Sequence, residues 1–511
     1  MTQTLSAFHP QYSEAKADWQ LMRDAYKGER KVKKSGALYL PYTAGHILDG
    51  AGVVQESAGQ KAYASYLLRA RFPNFVREAV QMAIGMMHSQ PPEIKLPKAM
   101  ENIRSSKGES LPALLRRINT EQLITGRIGI MADLPSVSVI GKVVPYLTTY
   151  AAEKIINWDD GQVEEIVPQS LNLVVLDETE QVMGDGFNWS KKEKHRVLSM
   201  GSINKNESSG VYRQGVFTET EFSESALKTP SIMGMTLDQI PFVIVNSCDL
   251  ISDVDDPALL DLGNLCMTIY RADADYRQNL YMQGQDTFVT SGAGLQEGDS
   301  IRTGAGARLD LPLGGKAEYV GVSGSGLEAQ SKDLEKLESR AGSMGANTLD
   351  STSRERESGD SMRIRVAART ADMNQIVETG ATALENLLKI CARWMGENED
   401  EVSVNPNKEF GEMPLTGQTM VEMATARSLG FPLSAKSMHD LAFKRRMTNL
   451  TFEEEMEQAK SEDEENHPFK KPDNADRAGA DQNDDGKDTD DDISARNKAK
   501  KKAKKKPESE A

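Results

Sequence analysis

The sequence predicts an α+β protein, and three observations carry that prediction. Residues 1 to about 250 mix helical periodicity with alternating, strand-like runs. The stretch from Pro257 to about Met395 is dominated by long apolar stripes at helical spacing around a short glycine-rich segment. After about Ser461 the chain turns into a charge-dense tract almost without apolar side chains, which lacks the means to offset ordering entropy and is expected to be disordered.

The elements follow in order. "NFVREAVQMAIGMMHS" (Asn74–Ser89) repeats Phe75, Ala79, Met82 and Met86 on one helical face and stops at Pro91-Pro92. "LPALLRRINTEQLITGRIGIMADLP" passes from helix into strand. "SLNLVVLDET", "HRVLSM" and "VYRQGVFTETEF" alternate between turn residues, as an antiparallel meander does. Asp256 followed by Pro257 reads as an N-cap and first helical position. A helix from Pro257 to Gln283, roughly 40 Å long, carries Leu262, Leu265, Ile269, Ala272, Tyr276 and Leu280 on one face. Capping accounts for the nearby acids; metal ligation by Asp253, Asp255 and Asp256 is the competing reading, and no further ligand cluster follows them. Residues 284–325 are rich in Gly and predict a small β unit. Ser325 and Glu328 have capping-box spacing ahead of a stripe through Leu327, Leu334, Leu337, Ala341 and Met344. A polar loop, "DSTSRERESGD", then feeds a helix of about 50 Å carrying Val366, Met373, Val377, Leu384, Leu388, Cys391 and Met395.

Composition narrows the function classes. The chain has 511 residues, a formal net charge of −16 and a pI near 5.1. A protein gripping DNA tightly over a large surface is usually basic. Cys248, Cys266 and Cys391 are scattered and odd in number, which argues against a disulfide framework and for buried structural thiols in a reducing compartment. No basic-then-apolar leader opens the chain, and the longest apolar stretch is too short to span a bilayer. The expectation is a chain that stays in the cytoplasm or enters an assembly built there.

The sequence carries no familiar catalytic signature. There is no phosphate-binding loop ending in Gly-Lys-Ser/Thr, no paired-histidine zinc motif, no dinucleotide glycine fingerprint and no nucleophile elbow. His9, His46, His88, His195, His439 and His467 are scattered. "DQNDDGKDTDDD" (Asp481–Asp492) matches part of a calcium loop but lacks the apolar eighth residue, the closing Glu and flanking helices, so an acidic tract is the simpler reading. The Lys498–Lys506 run suits contact with nucleic acid or an acidic protein surface, or plain solubilisation.

The order helix, small β unit, helix, charged loop, long helix resembles the central part of tailed-bacteriophage portal proteins, the head-to-tail connectors. "LLDLGNLCMTIYRADADYRQNLYMQGQDTFVTSG" looks like that family's first stem helix entering its clip. "YASYLLRARFPNFVREAVQMAIGMMHSQPPEI" is similar to the early wing helix. "GRIGIMADLP" with "PYLTTYAAEKIINWDDG" looks like the wing strands of a portal subgroup long catalogued as a phage domain of unknown function. "VSVNPNKEFGEMPLTGQTMVEMATARSLGFPLSAKSMHDLAFKRRMTNLTFEEEMEQAKSE" resembles the C-terminal strand and helices, with the turn at Leu429–Ser434. The resemblance covers roughly residues 20–460, and its specific part is the ordered series, since portals carry no catalytic signature.

The resemblance implies a portal fold: an α/β wing (1–256), first stem helix (257–284), β-rich clip (285–325), second stem helix (326–346), channel loop (347–360), long wing/crown helix (361–400), C-terminal strand and crown helices (401–460) and charged tail (461–511). It implies a homo-oligomeric ring, usually of twelve subunits, at one capsid vertex of a virion assembled in the host bacterial cytoplasm. Double-stranded DNA passes through the ring; the terminase large subunit, a head–tail adaptor and the major capsid or scaffolding protein are the implied partners. It implies no cofactor, metal, catalytic residue or membrane.

Within that frame the channel-loop candidates are Ser351, Thr352, Ser353, Arg354, Glu355, Arg356, Glu357 and Ser358. Mixed charge of this kind touches phosphates without holding them, because each phosphate fully neutralised adds salt-dependent affinity that would stall moving DNA. The competing reading is a solvated surface loop. Arg302, Arg308 and Lys316 break an otherwise weakly charged clip and are candidate docking contacts, or mere solubilisers. Leu262, Ile269, Tyr276, Leu334, Leu337 and Met344 are the candidate stem-packing residues. Two other functions compete: another virion part such as a head–tail adaptor or minor head protein, which would leave the wing-to-crown series unexplained, and a cytosolic α/β enzyme with a site built from distant residues.

Overall fold

The computed structural model describes residues 5, 7–135, 144–160, 171–202, 207–218, 222–283, 287–292, 311, 313–320, 325–345, 359–408, 417–432, 434–444, 448 and 450–466. The fold is α+β, in two compact units, Met1–Glu412 and Met413–Ala511.

The first unit opens with α1 (Pro10–Lys27), α2 (Glu29–Lys34), α3 (Ala44–Leu48), α4 (Ala58–Arg69) and α5 (Phe75–Met87). A short β1 (Glu93–Lys95) and α6 (Leu111–Thr125) follow. Pro112 sits in the first turn of α6, where its missing N–H costs nothing, and Gly126 ends the helix in the left-handed region at φ 72°. The chain then turns directly into β2 (Arg127–Asp133), every residue of which is buried. β3 (Tyr146–Ala151) pairs with β2, and β10 (Phe242–Asn246) pairs on its other side, giving the antiparallel order β10-β2-β3.

A second antiparallel sheet is the expected meander. β4 (Ile155–Asp159), β5 (Leu173–Asp177), β8 (His195–Ser202) and β9 (Glu207–Phe217) lie in the order β4-β5-β8-β9, and the exposed hairpin β6 (Glu180–Met183) with β7 (Trp189–Lys192) projects between β5 and β8 in sequence. Asp133 and Glu178 tie the two sheets together through Arg196, at 2.8 and 2.6 Å. Tyr146 and Gln214 donate to Asp133, and Tyr150 donates to Glu178. Ion pairs this enclosed hold only when their remaining valences are satisfied, and here hydroxyl and amide donors supply them.

Long helices complete the unit: α7 (Leu260–Gln283), α8 (Ser325–Gly345) and α9 (Gly359–Met395), with the two-stranded sheet of β11 (Thr287–Ser291) and β12 (Lys316–Val320) between α7 and α8 in sequence. β13 (Ser403–Asn405) returns to pair with β1, joining positions some three hundred residues apart.

Two hydrophobic clusters form the core. One is built on the sheets, the first half of α6 and α9 from Ala381 onward. The other joins α1, α2, α4, α5, α7 and α8 with Met373, Ile376 and Val377 of α9. Both α6 and α9 cross from one cluster to the other, and at the crossing their side chains become polar. Asn119 and Gln122 on α6 are fully buried. Asn119 Nδ2 donates to Gln122 Oε1 at 2.9 Å and to the Ile376 carbonyl at 3.4 Å, its Oδ1 meets His88 Nε2 at 2.9 Å, and Gln122 Nε2 donates to the Asn246 carbonyl at 2.7 Å. Gly380 of α9 lies against this seam because a Cβ there would fall 2.6 Å from Asn119 Nδ2.

The second unit holds α10 (Gly417–Ser428), α11 (Ala435–Lys444) and α12 (Phe452–Asn466). Gly430, at φ 96°, and the Pro432 beyond it close α10; Ser434 Oγ accepts from Ser437 N to start α11. Thr451 and Glu454 form a reciprocal capping box on α12, and the bonds from the Thr451 backbone and hydroxyl hold the Glu454 carboxyl below its ordinary range. So capped and rich in Glu, α12 runs to Asn466, past Ser461, where the sequence reading began the disordered tail. The tail expectation for 467–511, with the partial calcium loop and the Lys498–Lys506 run, lies outside the described residues.

Candidate stem and its footing

α7 and α8 pack side by side and antiparallel. Leu262, near the start of α7, lies within 3.5 Å of where a Gly345 Cβ would be at the end of α8. At the opposite ends Asn279 Nδ2 donates to Gln330 Oε1 at 3.1 Å. α7 is 24 residues long, about 36 Å, and its buried face is Leu262, Cys266, Met267, Ile269, Tyr270 and Ala274.

Of the candidate stem-packing residues, Leu262, Ile269 and Leu334 are buried in the helix cluster, and Tyr276 and Leu337 pack against it half-buried. Met344 does not join it: its side chain is exposed at the rim of a cavity at the foot of the stem. Leu327 and Ala341 of the expected α8 stripe are buried. α1 approaches α7 so closely that a Cβ on Gly263 would meet Met22 Sδ at 2.4 Å, so any side chain there would force the buried Met22 to move. Farther along, Asp273 Oδ2 accepts from the Arg71 backbone N–H at 2.7 Å and from Arg277 Nε at 2.8 Å, and Tyr66 donates to Asp275 at 2.5 Å. The bonds from Tyr66 and Arg71 moor α7 to α4 and the chain just after it.

The footing of α7 differs from the sequence expectation. The helix begins at Leu260, not at Pro257, so Asp256 is not its N-cap. The carbonyls of Asp255 and Asp256 lie 3.2 and 3.1 Å from where a Gly126 Cβ would stand, so the chain crosses the α6–β2 turn before coiling. Arg127 holds this crossing in place. Its Nη1 donates to the carbonyls of Ser252 and Asp253, both at 2.8 Å, and its guanidinium lies 4.4 Å over the Trp158 ring. Burial, against the pull of Asp255, Asp253 and Asp249, brings the Arg127 pKa down to about 10, which leaves it charged at neutral pH. Asn246 Nδ2 adds bonds to the Ile251 and Asp253 carbonyls, and Gln11 Nε2 donates to Asp253 Oδ1. Asp253 is therefore occupied by the clamp, and among the described residues no three His, Cys, Asp or Glu side chains converge as a metal site. Sequence reasoning missed Arg127, since nothing in its neighbourhood pairs it with residues far downstream.

The cavity beside this footing has a volume of 320 Å³ and is walled by Ala83, Met86, Leu123, Leu259, Met373 and Ile376. Cys248 stands at its rim and is exposed, contrary to the expectation of three buried thiols; Cys266 and Cys391 are buried. Cys248 follows the last buried residues of β10 in a turn shaped by Asp249, which is why it escapes the core. Burial and then Asp255, Asp249 and Asp372 raise its pKa, and burial pushes Cys266 up to about 11 and Cys391 up to about 12. None of the three is an activated nucleophile.

At the far end of the stem the two-stranded sheet is antiparallel, with Phe288 and Tyr319 rings 5.1 Å apart. Lys316 opens β12 opposite Ser291 and is exposed. Arg302 and Arg308 lie outside the described residues, as do Ser351, Thr352, Ser353, Arg354, Glu355, Arg356, Glu357 and Ser358 between α8 and α9. The described part of α8 presents Lys332, Glu335, Lys336 and Arg340 along one concave strip, so mixed charge continues down the helix. No helix among the described residues is long and apolar enough to cross a membrane.

A family described as a domain of unknown function, DUF4055, matches residues 258–395, the span from the footing of α7 to the end of α9. No curated protein matches. Among solved structures, the chain is similar to one titled as the neck of a native GTA particle computed with C12 symmetry, at 13% identity and a TM-score of 0.38, covering 78% of this chain and 96% of that one. It is also similar to one titled as the neck of an empty GTA particle computed with C6 symmetry, at 13% identity and a TM-score of 0.35, covering 78% and 97%.

Proposed function

We propose that this chain is a phage portal protein: a ring, of about twelve copies by the family resemblance, at one capsid vertex, through which double-stranded DNA enters and leaves. The observation that carries the reading is the series α7, two-stranded sheet, α8, charged segment, α9. Its first two helices pack as an antiparallel pair, with α7 bonded to the body from its footing as far along as Gln278. Such a pair is a rigid strut whose far end, bearing the small exposed sheet, is free for docking. The terminase large subunit and later a head–tail adaptor are the proposed occupants of that end, and the capsid or scaffolding protein is the partner of the body.

The physics suits a conduit. A subunit of net charge −16, repeated around a ring, repels phosphate over most of its surface. Arg354 and Arg356 interleaved with Glu355 and Glu357 then give transient contacts where the strut helix α8 leads toward α9. The role requires no catalytic group.

The experiment is imaging and mass measurement of the purified protein. Rings with a central hole, at a mass near twelve times 56.2 kDa, are expected. A compact monomer at micromolar concentration refutes the reading.

A further inference from the structure

We infer that copies of this chain dock head to tail through two patches of opposite charge: the α2–α4 lobe of one copy and the turn after α9 of the next. The inference rests on the ring reading above and names the surfaces that would build it.

The first patch is a set of apolar side chains that no other described residue covers. Leu38, Ile47, Leu48, Val53, Val54 and Leu68 are all exposed, Leu48 at 86% and Val53 at 85%. The outer face of α4 continues it with Ala58, Ala62, Ser65 and Leu68 at helical spacing, and its small residues allow close approach. Solvent-facing helices are ordinarily polar on that side, and this many large apolar side chains exposed within one lobe mark an interaction site. Its rim is basic. Lys27, Arg30, Lys34, Lys61 and Arg71 are exposed against Asp49 and Glu56, in a chain that is acidic as a whole. None of these five cations forms an ion pair among the described residues.

The second patch has the opposite sign and its own apolar centre. Met233 and Met235 are exposed, and Met235 Sδ lies 3.7 Å from a Gly396 Cβ position in the turn that ends α9. Asp400 and Glu401 are exposed in the same turn and form no ion pair among the described residues, while Glu399 is taken by Arg393. Methionine surfaces adapt to a partner's shape.

The patches cannot satisfy each other within one chain. The first belongs to the helix cluster that meets α9 no later than Val377, and the second lies beyond Met395, about 27 Å farther along that helix. A surface that matches a different surface of the same molecule makes a heterologous contact, which repeats and closes into a ring when the rotation allows. Complementary charge within one acidic chain favours a second copy over an unrelated partner.

The test is reciprocal charge reversal read by mass photometry, with thermal melting to check folding. Lys34→Glu with Lys61→Glu, or Asp400→Lys with Glu401→Lys, should each lower the ring fraction at least tenfold, and mixing the two variants or combining all four changes should restore it. Raised salt should weaken the parent contact. Parental ring yield in either folded variant, or failure of the combination to restore rings, overturns the inference. A second measurement separates it from the ring reading. In a Cys248→Ser background, Leu48→Cys with Met233→Cys under an added oxidant should give a ladder of covalent multimers. A ladder without rings sinks the ring and keeps the contact; rings without a ladder sink the contact and keep the ring.

Discussion

Replacing Gly380 with Ala puts two effects of opposite sign in competition. In an open helix interior the change gains about 1 kcal/mol of propensity. Gly380 is not open: the new methyl would lie 2.6 Å from Asn119 Nδ2, 2.9 Å from Gln122 Oε1 and 3.3 Å from Ile118 Cγ2. Asn119 and Gln122 are fully buried and bonded to each other, to His88 and to the Ile376 and Asn246 carbonyls. The amide must move, so at least one buried hydrogen bond is lost, at about 1–3 kcal/mol, and overpacking adds about 1–3 kcal/mol. After the propensity gain the variant is still destabilised, by about 1–5 kcal/mol. Gly85 on α5 is the control: it is exposed, nothing lies within 4 Å of its Cβ position, and its change to Ala should stabilise by up to about 1 kcal/mol. Urea unfolding followed by tryptophan fluorescence, with Trp394 buried on the same helix, reads both. The midpoints should move in opposite directions, and Asn119→Ala should remove part of the Gly380→Ala penalty. A midpoint for Gly380→Ala at or above the parent would refute the idea that the polar seam is packed as described.

Lowering pH from 7 to 5 should destabilise the fold through His88. Burial holds its pKa below the ordinary 6.5, only partly countered by Asn119, so the unfolded chain takes up its proton first; the loss grows as pH falls below 6.5, and His88→Gln should flatten that slope in urea titrations at each pH. Thiol labelling of the native protein should modify Cys248 alone, more slowly at pH 8 than a free thiol, with Cys266 and Cys391 reacting only on unfolding. Leu337→Asp should abolish rings on size exclusion by burying an unpaired charge in the stem, and unchanged rings would remove that face from any packed contact. Changing Arg354 and Arg356 to Glu should leave rings and procapsids intact while lowering DNA content per particle; full particles at parental frequency would return the segment to an ordinary solvated loop.

How much of this was legible in the sequence depends on where each interaction is encoded. α5, α6, α8 and α9 announce themselves because burial on one face imposes a helical period that a short window reveals. The meander is readable for the same reason at period two. The start of α7 misled because Asp-Pro is a sound capping signal locally, yet here the chain is held extended across Gly126 by Arg127, whose partners are more than a hundred positions away. Pairing of β1 with β13 and insertion of β2 between β10 and β3 are equally invisible, since period fixes a strand's faces but not its neighbours. One signal was present and unread: Asn119 and Gln122 interrupt the apolar stripe of Leu111, Leu114, Leu115 and Ile118, and a polar pair inside such a stripe must find buried partners. It marks the place where two cores meet, and the same seam grips α9 midway between its two cores. Any load reaching the segment between α8 and α9 would pass along α9 to this seam, and a hydrogen-bonded seam resists sliding better than apolar contact because its bonds fix one register. The Gly380 experiment therefore bears on the proposed conduit as well as on stability. A seam that tolerates the added methyl would leave α9 free to shift, and with it the footing on which the stem stands.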